Sequence, residues 1–202
     1  FMGWLMLILA LEIQDYTFGF AGINFLWTTL YGFPRDVSLL FGPIVYFYLL
    51  AQTKSDFKLH KKDLIHLLPF AYSFIPPFII FLQGPYVVQL WDDSIINEIF
   101  NVSTLIMRWI SYAFYFYQSI SLYTGYRKWL VQVYSDPDSM DLRWFRNFLV
   151  ILIFGIVFME SMFILDFFKD LEFYEDWWWN LWLVLIIILT GIRAYAQPQL
   201  VN

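Results

Sequence analysis

The stretch FLVILIFGIVFM, residues 148–159, is apolar whichever regular backbone it adopts, and the chain carries several runs of this kind. Charge-poor segments cover residues 1–11, 37–53, 64–91, 99–126, 147–168 and 177–192. The later ones approach or exceed the roughly 20 residues that a helix needs to cross a hydrocarbon layer. In lipid a backbone finds no water, so it is either helical or part of a closed barrel. A barrel strand alternates polar and apolar residues over about ten positions, a pattern missing from FLVILIFGIVFM and from LVLIIIL. The expected fold is therefore all-α: a polytopic transmembrane helix bundle, one domain over residues 1–202, with about six spans and a possible seventh ahead of Phe1. Helices are expected at 1–13, 37–52, 64–82, 103–126, 142–168 and 177–196.

Composition agrees, with 60% hydrophobic and 14% charged residues and a mean hydropathy of +0.60. Cysteine is absent, which removes disulfides and thiolate metal sites, and His60 and His66 are too few for a histidine cluster. No metal and no cofactor are expected. The net charge of −5 is sorted along the chain and does not sum into one field for nucleic acid. The opening apolar run lacks a basic flank and is followed by Glu12 and Asp15, which argues against a cleaved signal peptide and for a segment preceding Phe1.

Nine of the twelve basic residues fall on one side of the expected spans: Lys54, Lys58, Lys61, Lys62, Arg127, Lys128, Arg143, Arg146 and Arg193. Arg35 and Lys169 lie opposite, and Arg108 lies inside a span. The positive-inside rule then makes the protein a multi-pass membrane resident, with the basic side and the C-terminus cytoplasmic and the lipid bilayer as its first partner. Trp177, Trp178, Trp179 and Trp182 come at the outer interface, where indoles anchor, with Trp27 and Trp91 at similar depth. An aromatic cage for a cation is the competing reading of those rings.

Arg108 begins a helical stripe that continues through Tyr112, Tyr115, Ser119 and Tyr126. A charge in hydrocarbon is costly, so Arg108 either snorkels to the headgroups or faces protein. Glu160 lies at matching depth on another span and is the expected partner. The pair is either a tie between two helices or the wall of a polar cavity, and Arg108, Tyr112, Tyr115, Ser119 and Glu160 are the candidate ligand-binding residues. In the cavity reading Arg108 attracts an anionic head while the tyrosines hold an amphipathic body. Pro43, Pro69, Pro76 and Pro77 are structural candidates, the last three expected to kink their span. His66 is expected to be a solvated interfacial histidine. Ser103 reads as a helix N-cap in preference to the glycosylation acceptor Asn101-Val102-Ser103. The run DPDSMD, residues 136–141, lacks the glycine and glutamate of a calcium loop and reads as a turn.

No HExxH, GxSxG or phosphate loop is present, so no enzyme activity is expected. Several strings nevertheless occur together: Gly42, Pro43 and Tyr46 in FGPIVYFYLL, His66 to Phe70 in LIHLLPF, Leu142-Arg143-Trp144, and Gln197-Pro198. In their order and spacing they resemble the membrane-embedded N-terminal half of AraC-type transcriptional regulators of Bacteroidetes-like bacteria. The resemblance implies a sensor or input module in a bacterial cytoplasmic (inner) membrane that does no chemistry of its own. In it, a first helix precedes Phe1 and a cytoplasmic helix-turn-helix domain follows Asn202, and nucleic acid is reached only through that downstream domain. Two other classes compete: an accessory or structural subunit packed on other membrane subunits or on a second copy, and a small-solute transporter, which the lack of matched broken helices disfavours.

Overall fold

The computed structural model describes residues 1–54, 57–133, 143–169 and 177–196, and among these the protein is all-helical. Eight α-helices follow in order: α1 Met2–Glu12, α2 Gln14–Phe20, α3 Ser38–Thr53, α4 Leu68–Leu82, α5 Pro85–Asp92, α6 Ile95–Val133, α7 Arg143–Lys169 and α8 Trp177–Ala196, with a 3₁₀ segment Lys61–Leu67 leading into α4. Residues Lys61–Leu82 and Arg146–Asp166 are long and apolar enough to cross a membrane, while Met2–Glu12, Ser38–Thr53 and Asn180–Leu189 are shorter apolar helices. The run 136–141, Leu142, the acidic connection 170–176 and Gln197-Pro198 lie outside the described residues, as do the side chains of Arg143, Trp144, Trp177, Trp178, Trp179 and Arg193.

Two helix boundaries differ from expectation for identifiable reasons. Helix α6 starts eight residues before Ser103, because Ser94 is the cap: its Oγ accepts the Asn97 amide at 3.1 Å and donates to the Trp91 carbonyl at 2.7 Å. Ser103 lies inside the helix, donating to the Phe100 carbonyl at 2.7 Å and sharing a 2.9 Å hydrogen bond with the Tyr72 hydroxyl of α4. The charge-poor stretch 64–91 divides at Gly84, whose φ of +98° is open to glycine and strained for other residues. Pro85 then begins α5, a position where its missing donor costs nothing. Pro69 likewise sits in the first turn of α4 and removes no intrahelical bond, which corrects its expected role as a kink. Pro76 and Pro77 lie within α4 and Pro43 within α3, and each helix continues past them.

The core is built where α3 meets α1, α6 and α7. Leu5, Ile8 and Leu9 of α1, Phe41, Val45 and Leu49 of α3, Tyr112 and Tyr123 of α6, and Phe148, Leu149 and Leu152 of α7 form one buried cluster. Helix α6 buries a narrow stripe, Ser111, Tyr112, Tyr115, Ser119, Tyr123 and Leu130, at the three-to-four spacing of one helical face. At its centre Gly42 of α3 is the small residue that lets the helices close, since a Cβ there would stand 2.9 Å from the Tyr115 ring. Outward faces carry large apolar side chains, among them Ile95, 74% exposed, and Phe168, 76% exposed, far more than a water-facing helix ordinarily leaves uncovered.

One end of the bundle is closed by residues 21–37. Tyr31 donates a 3.1 Å hydrogen bond to the Asp92 carboxylate, and this bond to a negative acceptor raises its phenol above the ordinary range. Arg35 pairs with Asp15 and lies 5.8 Å over the Trp27 ring. Trp91 meets the edge of Phe100 at 5.8 Å, and Trp182 packs edge-on against Phe158 of α7 at 6.2 Å.

Candidate functional site

Five helices bring polar groups to that same end. Glu12 closes α1 and Ser38 opens α3. Arg108 and Tyr112 lie one turn apart on α6, Glu160 is on α7 and Asn180 is in the first turn of α8. Together with Tyr16 of α2 they line a cleft of about 110 Å³ whose remaining walls are apolar, including Phe41, Leu152, Ile156 and Ile186. Gly155 of α7 gives α8 room to approach, since a Cβ there would stand 3.1 Å from Ile186.

Arg108 Nε lies 3.7 Å from Glu160 Oε1, with both side chains largely covered. That is ion-pair range but longer than a direct hydrogen bond, and Nε itself has no hydrogen-bond partner among the described residues. Arg108 therefore faces protein, and its charge is engaged by a carboxylate on another helix. Ser38 Oγ, beside the cleft, also has no hydrogen-bond partner among the described residues.

The expected ligand residues separate into two groups. Arg108, Tyr112 and Glu160 line the cleft. Tyr115 and Ser119 lie further along α6, outside its lining. Ser119 is fully buried against neighbouring helices. Tyr115 is buried over Gly42, and its hydroxyl meets His66 Nδ1 at 2.5 Å. His66 is thus engaged by α6, flanked edge-on by Phe47 at 5.1 Å, and is no freely solvated interfacial histidine. Tyr126 stacks obliquely on Trp129 near the far end of α6.

Sequence reasoning missed Glu12 as a member of this site. It lines the cleft with no ion-pair partner within salt-bridge distance among the described residues, and the Val37 backbone N–H is within its reach. Arg108, Glu160 and Asp36 all act on it electrostatically. Asp36 is held by accepting the Ser38 amide at 2.8 Å, as an Asx residue does at a helix start. Two carboxylates, Glu12 and Glu160, thus share the cleft lining with one guanidinium. An anionic head drawn to Arg108 would compete there with Glu160, 3.7 Å away. A signal was present in the sequence: a glutamate ending an apolar helix at the level of Arg108. Its meaning depended on which helices meet there.

These features define an all-α protein with apolar helices of membrane-crossing length and a charged cleft at one end of the bundle. Comparison with protein-family models, curated proteins and solved structures gives no match. Among the described residues no group of three or more His, Asp or Glu side chains is arranged to hold a metal ion.

Proposed function

We propose that this chain is the transmembrane input module of a membrane-bound bacterial transcriptional regulator, a six-span sensor whose signal site is the cleft at Glu12, Arg108 and Glu160. In this reading the cleft faces outward, the lysines near the 3₁₀ segment face the cytoplasm, and the output is a DNA-binding domain joined beyond Asn202. The observation that carries it is the continuity of α6. One helix places Arg108 and Tyr112 in the cleft, then Tyr115 on His66, and runs on to Val133. The 39 residues of α6 span about 58 Å at 1.5 Å per residue. A shift of α6 at the cleft is therefore felt on the opposite side. Ionisable groups inside apolar helix bundles are costly, which favours a role for the cluster beyond packing.

A signal can move this bundle only by preferring one helix arrangement over another. The test joins the gene's own downstream sequence, or a reporter domain, after Asn202 and measures output across extracellular conditions. Wild type should respond, while Arg108→Leu and Glu12→Gln should lock the output. Uniform output in all variants, with other membrane subunits copurifying in fixed ratio, would replace this reading with that of an accessory subunit. That second reading draws on the exposed apolar faces of α5 and the start of α6, where Tyr86 is 72% and Ile96 66% exposed.

A further inference from the structure

We infer that the cleft recognises an amphipathic organic cation, an ammonium head carrying a short alkyl chain; the inference deepens the sensor reading and rests on it. The head group follows from the charge inventory. Arg108 is occupied by Glu160 at 3.7 Å. Glu12 lines the cleft with no ion-pair partner among the described residues, and Asp36 adds a further negative field. An anion entering would meet more acid than base, whereas a cation supplies the missing counter-charge. The ring-bearing side chains Tyr16, Phe41 and Tyr112 also line the cleft and can present the π-faces that hold ammonium groups. A cleft of about 110 Å³ has room for a small head.

The chain follows from a neighbouring groove. Tyr16 and Asn180 line both the cleft and a second depression of about 330 Å³, whose other walls are Ile13, Thr17, Phe20, Leu181 and Val184. Charge at one end and an apolar trough continuing from it match a molecule with a cationic head and a hydrocarbon tail. Arg35, the nearby cation of the closing segment, is paired with Asp15 and leaves this field unneutralised.

The experiment titrates the full chain in neutral-lipid nanodiscs with tetramethylammonium, its ethyl-, butyl- and hexyl-trimethyl analogues, hexanoate and hexanol, with empty nanodiscs subtracted. The trimethylammonium series should bind, tightening about fourfold per added methylene until the groove is filled. Glu12→Gln should weaken every cation at least tenfold, and Glu12→Asp should retain most of the affinity. Leu181→Trp should remove the gain from chain length, so that the hexyl analogue binds no more tightly than tetramethylammonium. Hexanoate binding more tightly than the cation, and depending on Arg108, would overturn the proposal, as would equal binding of hexanol or no binding at all. Cation binding with these signatures but without any change in fused reporter output would retain the ligand class and remove the sensor reading.

Discussion

His66 Nδ1 and the Tyr115 hydroxyl, 49 positions apart in the chain, lie 2.5 Å from each other, and this bond fastens the 3₁₀ segment ahead of α4 to the middle of α6. Either group can donate, depending on the histidine tautomer. Tyr115→Phe keeps the ring on Gly42 and removes only the hydroxyl. It should lower thermal stability by about 1 kcal/mol, the usual net value of one such bond. An unchanged unfolding midpoint in detergent would mean that the bond adds nothing.

The pairing of Arg108 with Glu160 is tested by a double-mutant cycle with leucine at each position. At 3.7 Å without a direct hydrogen bond, the coupling should be about 1 to 3 kcal/mol, with each single change costing more than the pair of changes implies. Additive losses would show that the two charges act independently.

Gly42 and Gly125 make opposite predictions for the same substitution. At Gly42 the new methyl meets the Tyr115 ring at 2.9 Å, and crowding of about 1 to 3 kcal/mol outweighs the roughly 1 kcal/mol that alanine gains in a helix. At Gly125 nothing stands within 4 Å, so only the gain remains. Gly42→Ala should lower, and Gly125→Ala raise, the unfolding temperature. The same sign at both positions would refute the close α3–α6 contact.

How much of this was legible depends on the range over which each feature is determined. The apolar runs around residues 148–159 and 177–192 dictated their own helices, because burial in lipid or protein needs no partner to specify it. The depth match of Arg108 and Glu160 was readable from counting along two spans. The start of α6 was not: Asn97, Glu98 and Asn101 look like connection, and the Ser94 cap that extends the helix over them is a local hydrogen bond that polarity hides. Glu12 and His66 escaped for another reason. Each sits at an apolar run's edge, where a solvated residue is the ordinary outcome. Only the meeting of α1 with α3 and of the 3₁₀ segment with α6 gives them neighbours.

The absence of native cysteine makes single-cysteine topology mapping clean. Lys61 and Asp93, both exposed, belong to opposite ends in the proposed orientation. An impermeant thiol reagent applied to intact cells should label Asp93→Cys and spare Lys61→Cys. The reverse pattern would invert the topology and place the cleft toward the cytoplasm.

In the proposed sensor, α6 carries a change at the cleft to the opposite side of the bundle. The most direct measurement of this is the distance distribution between spin labels at Lys62→Cys and Trp129→Cys, recorded in lipid with the cleft intact and with Arg108→Leu. The distribution should be shifted or broadened in the variant, and the effect of Arg108→Leu should be smaller when Tyr115→Phe has already cut the link to His66. Superimposable distributions in a folded Arg108→Leu protein would contradict it.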